Sequence, residues 1–293
     1  MLNIIIGILQ EGLIFGIMAL GVYITLKILD FPDLSVDGTF PLGMAVTTFF
    51  ILKGVNPFVC LLISFASGCI AGAFTGFLNV KLKIRDLLSG IITMTALYSV
   101  NYTIVGKPNE FLPVNQNTVF SVVSSQSGDF LFKYKYLIVA FLIMLVVKKI
   151  LDWYLSTKSG FLLRAVGDNE KLVVTLSKNP GLVKILGLAI GNGLVALSGS
   201  LELQYIKSFN VSAGTGTLVM GLAAVIIGTT LFGKIKKLKV TTGVVLGMIL
   251  YKACISVAML MGLQAKDTNL VISVLFVATL LLSSDKIRRE KNA

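Results

Sequence analysis

The 293-residue sequence contains no histidine, only three cysteines and one tryptophan, and few charged residues. Without histidine, the chain has no imidazole for acid–base catalysis, metal binding or pH sensing. Charged residues make up 14% of the sequence, against about 25% in soluble domains, whereas hydrophobic residues reach 55%. This composition excludes an ordinary soluble enzyme, a disordered chain and a secreted disulfide scaffold. It indicates an integral membrane protein.

The few cysteines and the charge balance narrow the possible ligands. Cys60, Cys69 and Cys254 lie within apolar runs, so we interpret them as small packing residues rather than disulfide partners or metal ligands. The formal net charge of +12 is compatible with nucleic-acid binding, but the positive-inside bias of membrane proteins also explains it. We therefore expect membrane lipid as the surroundings and no nucleic acid, metal or cofactor.

Apolar runs long enough to cross a bilayer, which takes about 20 residues, recur along the whole chain. They cover 3–29, 57–79, 87–105, 136–155, 181–203, 240–262 and 268–284. Two shorter runs, 40–52 and 217–232, follow polar stretches that contain glycine or proline. The pattern predicts one all-α polytopic membrane domain over 1–293, with about eight to nine transmembrane helices including short or broken ones.

The two short runs are the first indication of function. Short, interrupted helices in both halves of a chain point to a transport site near the middle of the membrane. The alternative is two short helices with ordinary loops between them.

The distribution of lysine and arginine predicts the orientation of the chain. We place Lys27 and four segments in the cytoplasm: 80–86, 148–184, 233–239 and 285–293. That side then holds 19 of the 26 basic residues, as the positive-inside rule requires. The N-terminus is then external and the C-terminus cytoplasmic, which needs an odd number of crossings. The one sizeable external loop, 106–135, is either a cap or a flexible connection.

Small residues at helical spacing predict close packing between spans. The G-x-x-x-G pattern occurs at Gly12/Gly16, Gly68/Gly72/Gly76, Gly187/Gly191 and Gly243/Gly247. This spacing lets helix backbones approach each other in lipid. It supports a compact bundle and carries no information about function.

The sequence holds no energy source of its own. The stretch GTTLFGKI, residues 228–235, matches a phosphate-binding loop as far as Lys234. Ile235 then stands where such loops have the Ser or Thr hydroxyl that binds Mg²⁺. We therefore expect no catalytic residue and no ATP hydrolysis by this chain itself.

Two charged residues, Glu11 and Lys252, lie inside predicted spans. Charges are costly in hydrocarbon, so both are functional candidates. They either pair or face a water-filled path, and the long Lys252 side chain can alternatively extend to the membrane interface. Two isolated charges make a poor proton relay, so an ion-coupled secondary transporter is only an alternative interpretation.

The predicted cytoplasmic segment 157–180 has an amphipathic pattern. Its apolar residues recur near helical spacing, at Leu162, Val166, Leu172, Val173 and Leu176. Its polar residues include Arg164, Asp168, Asn169 and Glu170. A short amphipathic helix of this kind is suited to a groove on a partner protein, although any cytoplasmic loop can contain one.

Three blocks of sequence resemble the permease subunits of ABC importers. They are EGLIFGIMALGVYITLKILDFPDLSVDGTFPLGM (11–44), SGFLLRAVGDNEKLVVTLSKNPGLVKILGLAIGNGLVALSGSLELQ (159–204) and GTLVMGLAAVIIGTTLFG (216–233). FPDLSVDG and RAVGDNE are the most specific parts. The resemblance is to the branched-chain amino acid permease superfamily, and within it to the tryptophan/tyrosine branch. Val173, Val174 and Ser177 depart from the small residues and glycine that relatives often have after the acidic residue.

The resemblance implies a set of partners and a division of labour. Two permeases, in this branch often two copies of one chain, would pair in a bacterial plasma membrane. Each would dock on a cytoplasmic ATP-binding subunit, and an extracytoplasmic binding protein would deliver the solute. The segment 157–180 would be the coupling region, and its ATPase-coupling residues would be Arg164, Asp168, Asn169 and Glu170.

The candidate solute path or gate lies in the two polar stretches. Asp33, Ser35, Asp37 and Thr39 precede the first short run, and Thr215 and Thr217 border the second. A helix N-terminus suits a solute carboxylate, and the aspartates suit an ammonium group. By charge topology, however, 30–39 lies on the cytoplasmic side, so it is equally interpretable as an inner gate or a structural turn.

These features predict a permease subunit that imports an aromatic or branched-chain amino acid and is powered by a separate ATPase. A permease for a sugar or nucleoside in the same superfamily is one alternative. An ion-coupled secondary transporter is a second alternative, from a different class.

Overall fold

The computed structural model describes residues 2–122, 129–169, 173, 179–233, 235, 238–260, 273–274 and 277, of which 122 and 129–133 are described by backbone alone. The helices are α1 (Leu2–Val22), a π-helix (Tyr23–Ile28), α2 (Val36–Leu52), α3 (Pro57–Val80), α4 (Asp86–Val105), α5 (Val119–Val122), α6 (Asp129–Leu155), α7 (Lys158–Asp168), α8 (Pro180–Ile206), α9 (Thr217–Phe232) and α10 (Val240–Leu260). Two short strands, β1 (Asn109–Phe111) and β2 (Ser208–Asn210), complete the description.

The predicted spans agree with the helices to within a few residues. Five helical segments of the described chain are long and apolar enough to cross a membrane: Leu2–Ile28, Pro57–Val80, Asp86–Val105, Pro180–Ile206 and Val240–Leu260. The helix α6 begins at Asp129, earlier than the apolar run predicts. The predicted last span, 268–284, lies almost wholly outside the described residues. The fold is thus that of an all-α polytopic membrane protein.

The helices α1 and α8 form the centre of the bundle. Residues 12–25 of α1 and its π-helical extension are all buried, as are residues 191–201 of α8. A hydrogen bond from the Ser198 hydroxyl of α8 to the Ile14 carbonyl of α1 joins the two helices, at 2.8 Å. Because both helices are surrounded by others, their sequences are apolar on every side, as expected of buried helices.

The predicted glycine motifs lie where these helices contact each other, and we call these contact lines seams. Along α3, a methyl group added at Gly68, Gly72 or Gly76 would meet the α8 backbone. Gly12 and Gly16 of α1 face α10, Gly191 faces the α1 backbone at Gly21, and Gly243 and Gly247 face α9. Each glycine therefore sets a distance between helices that a larger residue would increase.

The two short helices, α2 and α9, both begin in the interior of the bundle. Just before α2, the Ser35 hydroxyl bonds to Asn192, near the midpoint of the 27-residue helix α8. The helix α2 then runs outward alongside the second half of α8, where Thr47 bonds to Ser200. The helix α9 runs in the other direction, since its Gly221 packs against Val22 of α1.

The strands define one end of the bundle, the β-ribbon end. The strands β1 and β2 pair antiparallel, with Glu110 opposite Phe209. The Gln204 side chain of α8 accepts a bond from the Val119 amide of α5 at 2.8 Å, which ties the connection after α4 to this end. Within the predicted loop 106–135, Val119 is thus bonded to the end of the bundle through Gln204.

The helix α7 defines the opposite end of the bundle, the α7 end. Thr157 caps its N-terminus, and its residues Gly160, Leu163 and Val166 are buried. A methyl group at Gly167 would collide with the Ile28 carbonyl, so the helix lies directly against the end of the π-helix. The amphipathic pattern predicted for 157–180 is therefore present in α7, which covers the first half of that segment. In the second half, Val173 is also buried.

The seam between α3 and α8 yields a stability prediction. In Gly72→Val the added side chain has no room beside the Leu188 carbonyl, whereas at Gly7 of α1 an added methyl meets nothing within 4 Å. We expect Gly72→Val to destabilise the protein by about 1–3 kcal/mol, as overpacking does, and to lower its unfolding temperature in detergent. Gly7→Val is the matched control. Equal unfolding temperatures for the two variants would contradict the seam.

Candidate functional site

A buried polar network fixes the segment that enters α2. The Asp33 carboxylate accepts the Ser35 amide on Oδ1 at 2.9 Å and the Asn192 side-chain amide on Oδ2 at 2.6 Å. The Ser35 hydroxyl in turn donates to Asn192 Oδ1 at 3.1 Å. Asp33, Ser35 and Asn192 are 1%, 0% and 0% exposed, so a carboxylate that is costly to bury is compensated by directed donors. This network holds the segment just before α2 against the middle of α8.

A second carboxylate, Asp37, joins the two short helices. Its Oδ1 accepts the Leu218 amide at 2.8 Å and faces the Thr217 hydroxyl at 3.0 Å, and its Oδ2 accepts the Gly216 amide at 3.1 Å. The first amides of a helix have no partner within that helix. Asp37, in the first turn of α2, is the acceptor for the first amides of α9. Its negative charge also stabilises the positive end of the α9 dipole.

At this junction the backbone of the turn before α9 lies very close to the backbone of α2. Pro41 lies inside α2 and has no N–H, so it cannot donate to the Asp37 carbonyl four residues earlier. A methyl group at Gly214 would collide with that same carbonyl and approach Pro41. Glycine at 214 is therefore required for the turn before α9 to approach α2.

A cavity of about 340 Å³ opens beside the junction. It lies between the start of α2, the second half of α4 and the turn that precedes α9. Its lining residues are Asp37, Gly38, Pro41, Met94, Thr95, Tyr98, Asn101, Val211, Ser212 and Thr215. This volume is at the lower end of the range for small-molecule sites, roughly 300–1,000 Å³. The cavity therefore suits a small solute.

The exposed surface of α4 is mixed: Leu87, Leu88, Ile91, Ile92 and Val100 are exposed, and polar side chains are exposed beside them. Thr95, Tyr98, Ser99, Tyr102 and Thr103 are all exposed. The hydroxyls of Thr95 and Thr103 bond back to carbonyls of their own helix. Tyr98, which also lines the cavity, is 53% exposed, so the cavity opens onto this face.

The two predicted intramembrane charges form an ion pair. Lys252 Nζ lies 3.1 Å from Glu11 Oε2 and 3.7 Å from the centroid of the Phe15 ring. The lysine side chain is 11% exposed and the glutamate side chain 43%. A third charged residue, Glu202 of α8, lies within electrostatic range of both, and its buried Oε2 has no partner among the described residues.

The exposed face of α7 is formed by side chains of mixed character. Phe161, Arg164 and Asp168 are exposed at positions i, i+3 and i+7, so they share one side of the helix. The Phe161 side chain is 61% exposed, and the Arg164 guanidinium lies 5.9 Å from its ring centroid. An exposed aromatic beside opposite charges is typical of a helix that docks in a partner's groove.

The predicted site residues fall into three places, one of which is the ion pair of Glu11 and Lys252. Asp33, Ser35, Asp37, Thr215 and Thr217 come together where α2 and α9 begin, and Thr39 is buried there, donating to the Ser35 carbonyl. Val36 begins α2, so Asp37 and Thr39 lie within its first turn rather than before it. Arg164, Asp168 and Asn169 lie at the α7 end, and Glu170 lies outside the described residues.

Several residues of these sites were not predicted from the sequence. Asn192, Asn101 and Glu202 sit in apolar stretches, and Phe161 was not distinguished from the other apolar residues of its segment. Glu11 was selected because it is a polar residue inside a predicted span. Asn101, Asn192 and Glu202 also lie inside predicted spans, so the same criterion would have found them.

The amides at the start of α2 already have partners. The amides of Asp37, Gly38 and Thr39 donate to the carbonyls of Leu34 or Ser35, and the Ser35 amide donates to Asp33. The expected docking of a solute carboxylate on this helix end therefore finds no free donor among these four amides. The cavity lining offers instead the Asp37 carboxylate and the hydroxyl-bearing residues Thr95, Tyr98, Ser212 and Thr215.

Comparison with known proteins agrees with this architecture. The family model of the permease component of branched-chain amino acid transport systems matches residues 4–283. The tyrosine transport system permease protein of Clostridioides difficile is 41% identical over 98% of this chain and 94% of its own length. The ribose import permease protein of Escherichia coli K12 is 28% identical over 78% of this chain and 70% of its own. No solved structure matches the chain.

The fold and the family match define a multi-pass membrane permease of the ABC transporter class. The chain belongs to the family of permease components of branched-chain amino acid transport systems, and the resemblance seen in its sequence motifs is confirmed. Its relatives include a tyrosine transport system permease and a ribose import permease. The chain is thus a transport subunit.

Asp37 provides a test of the helix junction. Asp37→Ala removes the acceptor for the first amides of α9, so we expect a loss of about 0.5–2 kcal/mol, the usual range for a lost helix cap. Asp37→Asn retains one acceptor oxygen and should lose less. Asp168→Ala, at an exposed aspartate that ends α7, is the control. Thermal unfolding in detergent measures all three, and an Asp37→Ala protein as stable as the control would disprove the capping role.

The ion pair can be tested by exchange of its charges. Lys252→Met leaves Glu11 without its partner, and we expect a destabilisation of about 1–3 kcal/mol. The double variant Glu11→Lys/Lys252→Glu restores an attractive pair and should recover part of the loss. The free energies of unfolding of Glu11→Lys, Lys252→Glu and the double variant, each relative to the unaltered chain, form a thermodynamic cycle. An additive result, without recovery, would show that the pair contributes no coupling energy.

Proposed function

We propose that this chain forms half of the solute path of an ATP-driven importer for an aromatic or branched-chain amino acid. The observation that carries the proposal is the junction of two short helices at Asp37, beside a cavity of about 340 Å³. Interrupted helices that meet within a bundle are a recurring way to build a transport site. The similarity to a tyrosine permease supports an amino acid as the solute.

The exposed face of α4 supplies one wall of the path. Hydroxyl groups on the outer side of a span are better solvated by water than by lipid. A second copy of the chain facing this surface would enclose a polar channel into which the cavity opens. The functional unit is then a homodimer with the solute path between its two copies.

The orientation follows the distribution of basic residues. The α7 end carries Lys81, Lys83, Arg85 and Arg164 among its described residues, and it faces the cytoplasm of a bacterial cell in this proposal. The β-ribbon end, with the N-terminus of α1, faces outward. An extracytoplasmic solute-binding protein docks at the β-ribbon end, and a cytoplasmic ATP-binding subunit docks at the α7 end.

The helix α7 couples the ATPase to the site through direct contacts. Its outer face offers Phe161, Arg164 and Asp168 to the ATP-binding subunit, and Asn169 and Glu170, which follow in the sequence, are the other proposed coupling residues. Its inner face abuts Ile28, the last residue of the π-helix. Five residues later along the chain lies Asp33, the anchor of α2. A displacement of α7 therefore acts over a short distance on the segment that enters the helix junction.

A sugar permease is the second candidate function. The similarity to the ribose import permease favours it, since the two chains match over most of their lengths. A nucleoside is a further solute class expected of this superfamily. An ion-coupled transporter is the alternative from a different class: Glu11 and Lys252 pair with each other, but the Glu202 carboxylate beside them, with a buried oxygen that has no partner among the described residues, is a group that such a transporter would use.

The importer is tested by co-expressing the chain with the ATP-binding subunit encoded beside it. We expect the two to co-purify and, with the binding protein in proteoliposomes, to accumulate tyrosine or leucine only when ATP is present. Ribose accumulation would select the second candidate. Uptake by the chain alone, driven by an ion gradient, would overturn the importer.

The docking face of α7 gives a specific prediction for the same assay. Phe161→Ala/Arg164→Glu removes the aromatic side chain and reverses the charge, so we expect at least a tenfold loss of co-purified ATPase, the effect of about 1.4 kcal/mol. Phe111→Ala, at an exposed phenylalanine of the β-ribbon end, is the control. Full recovery of ATPase with the α7 variant would contradict coupling through this face.

A further inference from the structure

A second cavity, of about 410 Å³, lies at the α7 end of the bundle. It is bordered by the end of α3, the connection from α3 to α4, and the first turns of α4 and α8. Its polar lining residues are Asn79, Lys83, Arg85, Asp86, Asn179 and Lys184. It shares no lining residue with the cavity at the helix junction, so it is a separate place on the molecule.

This cavity carries an excess of positive charge. Lys83, Arg85 and Lys184 are cationic, and Asp86 is the anionic residue of the lining. The Asp86 carboxylate accepts the Asn79 side-chain amide at 2.6 Å. Within the part of the chain that the structure describes, none of the three cations forms an ion pair. The cavity therefore has positive charge to offer to a ligand.

Lys184 is the most enclosed of the three cations. It is half-buried near the start of α8, whereas Lys83 and Arg85 are exposed. Its Nζ lies 6.0 Å from the centroid of the ring of Phe31, a fully buried residue. Removing a charge from water is costly unless an opposite charge is close by. An anion in the cavity would supply that opposite charge.

The connection from α3 to α4 folds so that its basic residues border the cavity. Lys83 has a φ of 56°, in the left-handed region that residues other than glycine rarely adopt. The Asn79 side-chain amide donates to the Ile84 carbonyl at 2.8 Å and so holds this turn against the end of α3. The turn brings Lys83 and Arg85 to the same cavity as Lys184 of α8.

The surroundings of the cavity match the boundary between lipid headgroups and acyl chains. It lies where α3 ends and where α4 and α8 begin, and all three helices are long and apolar enough to cross a membrane. Leu82, Leu87 and Leu182, each next in sequence to a lining residue, are 56%, 50% and 58% exposed. Exposed leucines at the end of a span suit acyl chains, and the basic residues beside them suit headgroups.

We propose that this cavity binds the phosphate group of an anionic phospholipid, with Lys83, Arg85 and Lys184 as its cationic partners. Basic pockets between transmembrane helices are suited to lipid headgroups. The arginine adds a planar fork of donors that fits phosphate oxygens. The neighbouring exposed leucines then contact the acyl chains of the same lipid. This lipid site goes beyond the proposed import function and does not depend on which solute is carried.

Binding of the lipid can be measured on the whole chain in detergent by native mass spectrometry. The protein is titrated with dioleoyl phosphatidylglycerol and with dioleoyl phosphatidylcholine, which share their acyl chains and differ in net charge. We expect phosphatidylglycerol to bind at least tenfold more tightly, and inorganic phosphate at the same concentration not to displace it. Equal affinities for the two lipids would overturn the site. Displacement by the phosphate would show that a soluble anion, not a lipid, is the ligand.

A charge-removing variant assigns the binding to the cavity. Lys83→Gln/Arg85→Gln removes the two exposed cations and leaves the half-buried Lys184 in place. Each basic residue beside an anionic lipid contributes roughly fivefold in affinity, so we expect phosphatidylglycerol to bind at least tenfold more weakly. Lys53→Gln/Lys107→Gln, at two exposed lysines of the β-ribbon end, is the matched control and should retain the affinity. The unfolding temperature checks that both variants are folded.

The remaining outcomes are also decisive. Unchanged phosphatidylglycerol binding in the cavity variant, or an equal loss in the control, would overturn the site. If the cavity variant kept its lipid affinity but lost the co-purified ATP-binding subunit, the cavity would be a docking surface for that subunit instead. ATP-driven uptake by the unaltered chain is measured separately, so failure of the lipid site would leave the proposed import standing.

Discussion

A helix that begins inside a membrane exposes backbone N–H groups where no water is available to bond them. The structure resolves this constraint for α9 with the carboxylate of Asp37, which comes from α2 rather than from the helix it caps. The two short helices are thereby held end to end, and the cavity lies at their junction. Because Asp37 serves both the fold and the cavity wall, the stability of the junction and the chemistry of the site are linked.

The remaining architecture brings backbones close enough for that junction to form. Glycines on α3 and α8 place the middle of α8 against α3, which positions Asn192 to hold Asp33. Gly214 does the same for the turn before α9. In lipid there is no hydrophobic force between helices, so close packing and interhelical hydrogen bonds must supply the cohesion. The seams of small residues and the buried polar network are therefore parts of one arrangement.

The π-helix connects this arrangement to the α7 end. One-turn π-helical segments are rare and often occur at functional sites. Here Leu29 donates to the Ile24 carbonyl, five residues back, and Phe31 donates to Thr25. The chain then passes from the contact with Gly167 of α7 to Asp33 within a few residues. In the proposed coupling, this connection is the shortest stretch of chain between α7 and Asp33, and its backbone groups are satisfied by these hydrogen bonds.

The sequence by itself determined the class of protein, the positions of the spans and the glycine seams, because these depend on hydrophobic length and on side-chain size. It also selected the two polar stretches that meet at the junction. Only the tertiary structure decided that Asp37 caps α9, that Asn192 compensates Asp33, and that Asn101 of α4 donates to the Gly38 carbonyl of α2. Such partners are separated by up to about 180 residues along the chain, so no local pattern records them. Their pairing is decided by which helices touch and at what height, and that depends on the packing of the whole bundle.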